Sequence, residues 1–404
     1  MEEQLLGKNY SRSVNLLILI FPIVINSLQV AGDLVLFILA MMGIFISISK
    51  KLSPFTIQEI KVFSYLTFGY FFAVCMSVLF SGQVAELAHY IPRDFHFLFA
   101  PFIALALLKA EVNMNYLIVG VKVALLVMGG IVIYHGGDRG TGVINAGVFG
   151  NLAVSMFFIA LAFFQYDSLK HKAFSLVTLL FGLLAIIGSG TRGAWLSFLI
   201  LLVTYLYFFY KKQAKLSPKL KIITILIIFS IISISSFNQS IKDRTNLAYT
   251  EISNWMSGDQ SPSAVGLRLN MYKKAINNIE DVPFFSGNGY RTSNIILFQN
   301  DMSSLGKKSV GFNHLHNAYL TNYYNGGIVL LGALLLLLFI PLRLFIKANS
   351  HNRENPVFIS GAFLTLGYAS YGMVNILFGD TYMNGFYVFF LAIFLLLTNK
   401  SIKV

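Results

Sequence analysis

The sequence predicts an all-α polytopic membrane protein of about twelve transmembrane helices. Three observations carry that fold class. Charged residues are 12% of the 404 positions and hydrophobic residues 56%, where soluble domains run at about a quarter and somewhat under half. The apolar residues form unbroken runs, and about 17–25 such residues cross a bilayer. The cations fall on alternate loops, as the positive-inside rule requires. Nucleic-acid-binding domains and disulfide scaffolds drop out with this reading, so no nucleic-acid partner is expected. The net charge of +13 is loop bias. The single cysteine, Cys75, cannot form an intrachain disulfide.

The candidate spans run over 14–28, 30–49, 62–81, 94–110, 114–134, 143–165, 172–190, 193–210, 219–237, 318–346, 356–378 and 382–398. Lys8 and Arg12 precede the first run as in a signal peptide, but no small-residue cleavage site follows it cleanly. It is read as retained. The run at 318–346 is long enough to tilt or to begin outside the bilayer. With a cytoplasmic N-terminus, one set of loops holds Lys50, Lys51, Lys61, Lys109, Lys170, Lys172, Lys211, Lys212, Lys215, Lys219, Lys221, Arg343, Lys347, Arg353, Lys400 and Lys403. The short loops opposite hold only Arg93, Arg139 and Arg192. Both termini are therefore expected in the cytoplasm.

This divides the chain into 1–237 with nine spans, an outer segment 238–317, and 318–404 with three spans and a tail. The outer segment carries eight cations, which long translocated loops tolerate. Leu267, Met271 and Ala275 recur at helical spacing within Ser263 to Ile279, and Pro283, Gly287 and Gly289 then break the chain. A helical cap over the membrane part is expected.

Several chemical engines are absent: there is no G-x-x-x-x-G-K-[ST], no D-x-D and no G-x-S-x-G. His314 and His316 lack a nearby carboxylate or cysteine to complete a metal site, so neither a metal nor a cofactor is expected. The outer side offers arginine, histidine and amides instead. Arg192, in Gly188-Ser189-Gly190-Thr191-Arg192-Gly193-Ala194-Trp195, is held at the hydrocarbon boundary, where charge is costly and usually placed for a purpose. Its bland alternative is a snorkelling side chain. Arg268 is as consistent with a solvated helix face as with a site. His314-Leu315-His316-Asn317 lies where the chain re-enters the bilayer, and its two rings are expected to diverge, as residues two apart usually do. Asp380 either orients a histidine or caps a helix. Lys122, near mid-membrane, is either a buried functional cation or a snorkeller.

The order S-G-T-R-G-A-W, then G-L-R-x-x-M-Y, then V-P-F-F-S-G-N-G-Y, then H-L-H-N resembles the bacterial O-antigen ligase family and its polysaccharide polymerase relatives. The resemblance is firm from about Phe181 to Leu331. It implies a glycosyltransferase bundle of the membrane C type. The implied reaction moves a finished glycan from undecaprenyl diphosphate to a sugar hydroxyl of lipid A–core, at the periplasmic face of the inner membrane, without metal or ATP. The partners so implied are the lipid-linked glycan, the lipid A–core acceptor and the membrane lipids. By resemblance, Arg192, Arg268 and His316 are catalytic. Arg139, Arg93, Tyr272, His314, Asn317 and Asp380 are the candidate substrate-binding residues.

Chemistry agrees with these residue types. Guanidinium groups hold phosphate oxygens in a bidentate fork at any relevant pH. A neutral histidine, with an ordinary pKa of about 6.5, suits a general base near neutrality. One displacement with one base implies inversion at the anomeric carbon. A polymerase would use the same donor with a second lipid-linked glycan as acceptor. A transporter would share the span count but do no chemistry.

Overall fold

The computed structural model describes residues 2–80, 82, 88, 91–136, 139–212, 239–259, 261–351 and 355–402. Fifteen α-helices are described: α1 Glu2–Val24, α2 Gln29–Ser49, α3 Lys61–Phe80, α4 Phe95–Lys109, α5 Met114–Tyr134, α6 Ala146–Phe164, α7 Leu169–Gly188, α8 Arg192–Lys212, α9 Gln239–Met256, α10 Ala264–Asn277, α11 Ser293–Phe298, α12 Ser304–Val310, α13 Ala318–His351, α14 Pro356–Gly372 and α15 Thr381–Ile402. No strand occurs among the described residues.

Eight described stretches are long and apolar enough to cross a membrane: Val30–Ser49, Lys61–Phe80, Ile91–Lys109, Met114–Tyr134, Ala146–Phe164, Leu169–Gly188, Ala318–Ser350 and Thr381–Asn399. The chain is thus a multi-pass membrane protein. Three further expected runs are helical, as α1, α8 and α14. The expected span 219–237 and the cations Lys215, Lys219, Lys221, Arg353 and Lys403 lie outside the described residues. The first helix starts well before its apolar run, so Lys8 and Arg12 are inside it.

Side-chain amides start several of these helices. Asn113, Asn145 and Asn355 each accept a hydrogen bond from the backbone N–H two residues on, and Pro356 takes the first position of α14. The helix α6 is apolar on every face and buried along almost its whole length. It is the centre of the bundle, packing on α5, α7, α8 and α14.

The long α13 is two helices joined at a break. Gly326 (φ −143°) and Gly327 (φ 59°, ψ −155°) leave helical geometry. The Phe284–Gly289 stretch docks into that gap by backbone. Ile328 N donates to Phe284 O at 2.7 Å, Asn288 N to Tyr324 O at 2.7 Å, and Gly289 N to Asn325 O at 3.1 Å. Ser77 Oγ also donates to Asn325 O, at 2.5 Å. These contacts satisfy backbone groups that the break frees. Gly287 lies so close that a Cβ there would be 2.5 Å from Gly326 N.

The segment before α13 has a small core of its own. Met271, Ala275, Val282, Leu297, Phe298 and Leu315 gather around Tyr324, whose hydroxyl donates to Ala275 O at 2.7 Å. The first turns of α13 therefore belong to this cap, which explains the excess length of that run. The expected helix at 263–279 is α10, with Ser263 as its N-cap.

Candidate functional site

Arg192 opens α8 directly after a tight turn in which Gly190 takes φ 59°. A cation at a helix N-terminus opposes the macrodipole, so local helix energetics does not favour it there. Its Nη2 pairs with Glu251 Oε2 at 3.2 Å, and its Nη1 is buried with no hydrogen-bond partner. The helix α9 reaches this turn twice, since Arg244 Nη1 also donates to Gly190 O at 3.1 Å.

Arg268, one turn into α10, makes no hydrogen bond or ion pair among the described residues. Burial pulls its pKa below the ordinary value. The charges of Arg192 and Arg139 add to that, while Tyr272 and Glu251 act against it. Arg192 and Arg139 thus lie near enough for their charges to act on Arg268, with Glu251 the carboxylate that acts the other way. Arg139 is exposed and adopts φ 53°.

The two histidines lie beside this group. Their rings approach to 4.4 Å between centroids, contrary to the expectation that they diverge. The expectation assumes ordinary backbone, whereas His316, which carries the second ring, has the left-handed φ of 51°. Burial, then the Arg268 charge, lowers the His316 pKa to about 4, against the pull of the neighbouring Asn375. His316 Nδ1 is buried without a hydrogen-bond partner. His314 is lowered to about 3 by burial and by His316, Arg291 and Arg268. Both rings are neutral at pH 7, with pKa values well below the 6.5 expected from sequence.

Tyr272 and Asn317 hold the frame. Tyr272 Oη donates to His316 O at 2.8 Å and to Met373 O at 3.4 Å, and Asn317 Nδ2 donates to Met373 O at 3.2 Å. Asn317 Oδ1 also caps α13 by accepting from Tyr319 N and Leu320 N. Together they fasten the end of the cap to the end of α14.

Arg93 and Asp380 belong to a second polar group rather than to the arginine–histidine cluster. There Asp94, fully buried, accepts from Tyr290 Oη at 2.9 Å and Asn384 Nδ2 at 3.2 Å, while Arg291 Nη2 donates to Gly379 O at 3.0 Å. Asp380 accepts from Met383 N at 3.2 Å, the capping role among its two expected alternatives. Burial raises its pKa, offset by the Met383 and Tyr382 backbone and by Arg93. Lys122 is neither a snorkeller nor part of this site, because its Nζ pairs with Asp167 at 2.7 Å.

Glu251, Asp94, Tyr290, Arg291 and Asn375 were not singled out from sequence. Of these, only Tyr290 falls inside a quoted motif, as the last residue of V-P-F-F-S-G-N-G-Y. Nothing in the pattern of α9 distinguishes Glu251 from the other polar residues of an amphipathic helix. Of four non-glycine residues with positive φ among those described, three are Arg139, Arg291 and His316. Such backbone outliers concentrate at functional sites, but they are not visible in a sequence.

The fold and this cluster define a polytopic membrane protein with cationic side chains gathered at helix ends beneath a cap. Residues 177–340 match the O-antigen ligase family model, and the chain carries a domain of that family. The match spans Arg192, Glu251, Arg268, Tyr272, His314, His316 and Asn317, and leaves Arg93, Arg139 and Asp380 outside. A protein of Haemophilus influenzae, described as uncharacterized, is 25% identical over 359 residues, covering 86% of this chain and 88% of that protein.

Proposed function

We propose that the protein is an O-antigen ligase, transferring a glycan from undecaprenyl diphosphate to a sugar hydroxyl of lipid A–core on the periplasmic face, with inversion and without metal or ATP. The observation that carries this reading is the convergence of Arg192 and Arg268, which hold unpaired N–H groups, next to a neutral imidazole. A diphosphate diester brings two negative charges to a space with three guanidiniums and one carboxylate.

In the reaction, the acceptor hydroxyl oxygen bonds to the anomeric carbon as the bond from that carbon to the diphosphate oxygen breaks. The electron pair leaves with the lipid diphosphate, whose growing charge Arg192 and Arg268 hold, with Arg139 at the rim. The hydroxyl proton passes to a ring nitrogen of His316. A base with a pKa of about 4 is weak, but the two charges of a bound donor favour the imidazolium and raise that value during the reaction.

The test is transfer by purified protein, given lipid-linked glycan and lipid A–core in the presence of a chelator. Product is expected from the wild type. No product would remove the enzyme reading. Product only with a second lipid-linked glycan as acceptor would make it a polymerase. Replacing Arg192 with Lys keeps the charge but not the fork, and a loss of about 100- to 1,000-fold in turnover is expected, as for other transition-state donors.

A further inference from the structure

Glu251 is 8% exposed and meets two partners with one oxygen. Its Oε2 accepts from Arg192 Nη2 at 3.2 Å and from Val265 N at 3.3 Å, in the first turn of α10. Ser263 Oγ accepts from Gly266 N in the same turn, at 3.0 Å. Arg268 follows Val265 by about one helical turn. A single carboxylate oxygen therefore ties the guanidinium that opens α8 to the start of the helix that presents the second guanidinium. The contact to Arg192 is one-pointed, although carboxylates commonly take Arg in a two-point fork. Nη1 is left buried and unpaired, which costs free energy.

The helix α9 is registered to make this contact. Arg244 and Glu251 are seven residues apart, two turns on one face, and both engage the α7–α8 turn and its following residue. The acid also limits the repulsion between Arg192 and Arg268, since its charge acts on Arg268 against that of Arg192.

We propose that Glu251 is a positioning residue for the donor site: it fixes Arg192 through Nη2 and anchors the helix of Arg268, so that the free N–H groups of both arginines face one diphosphate. This rests on the donor-site reading above. It assigns Glu251 no contact with substrate, because a carboxylate repels the diphosphate.

The test uses the full-length protein, inorganic pyrophosphate as binding probe, and Glu251→Gln, which keeps an acceptor oxygen for both N–H groups but loses the charge. Glu251→Gln should bind pyrophosphate as tightly as wild type or more tightly, since the competing negative charge is gone. Its turnover should nevertheless fall about tenfold, the difference between a charged and a neutral hydrogen bond. A merely structural role would lower binding and turnover together, and that result would overturn the proposal, as would wild-type turnover in the variant. A wild type that neither binds pyrophosphate nor transfers glycan would instead remove the donor-site reading, and the proposal with it.

Discussion

His316 is neutral because it is buried near a guanidinium, and that has a measurable consequence for pH dependence. The acid limb of kcat/KM reports the free enzyme, and that of kcat the donor complex. A base must be unprotonated to work, so activity falls as pH drops through its pKa. The kcat/KM limb is expected well below the ordinary histidine value of about 6.5, toward the free-protein value of about 4. The kcat limb should lie higher, because the bound diphosphate stabilises the imidazolium. A kcat/KM limb at or above the ordinary value would show that another group is the base. His316→Ala should lower turnover by about 100- to 10,000-fold, the range for loss of a general base. Diverging rings would make His314→Ala the milder change. With the rings in contact that ground is gone, and His314 bears on the protonation of its neighbour.

The break in α13 and the irregular stretch that fills it were half legible in the sequence. The Pro283, Gly287 and Gly289 breakers were visible, and so was a run too long for one crossing. Their connection was not, because it is made by backbone groups that are the same in every residue. Gly327 has the most demanding geometry in the joint: its φ and ψ belong to a region open essentially only to glycine, and a Cβ would lie 2.4 Å from Phe284 O. Gly327→Ala should cost about 1–3 kcal/mol or more in strain and loosen the cap. The expected reading is faster amide exchange across 283–290 with lower transfer at equal protein level. Unchanged exchange there would mean that the joint does not hold the cap. The cap should also respond to pH. His314 and His316 stay neutral in the fold down to about 3 and about 4, whereas unfolded histidines protonate below about 6.5. Between those limits the unfolded segment binds more protons, so stability rises with pH. Amide protection across 264–317 is expected to fall on acidification from pH 7 to pH 5.

Across the bundle, hydrophobic run length and loop charge located the described helices closely, since bilayer thickness leaves little freedom. What they missed was pairing between distant residues. Lys122 reads in sequence as either a functional cation or a snorkeller; the structure instead sets Asp167, 45 positions away, beside it, with Ser175 as a second donor to the acid. Removing one member of a buried pair strands the other, so Lys122→Ala should destabilise by about 3–5 kcal/mol. Lys122→Met combined with Asp167→Leu should recover much of that loss, and thermal unfolding of the purified variants checks it.

The same pair bears on orientation, because Asp167 joins α6 to α7 beside Lys170 and Lys172, on the side assigned to the cytoplasm, whereas 239–317 is assigned to the periplasm. Cys75 is the only cysteine, so Cys75→Ser gives a background free of thiols. On it, Glu280→Cys and Lys170→Cys each place one thiol at an exposed position. A membrane-impermeant maleimide applied to intact cells should label Glu280→Cys at once and Lys170→Cys only after the inner membrane is opened. The cation bias depends on many loops together, so one mislocated lysine would not change the expectation. The reversed labelling pattern would place the arginine–histidine cluster in the cytoplasm. That would end the ligase reading outright, because a lipid A–core acceptor on the periplasmic face could never reach it.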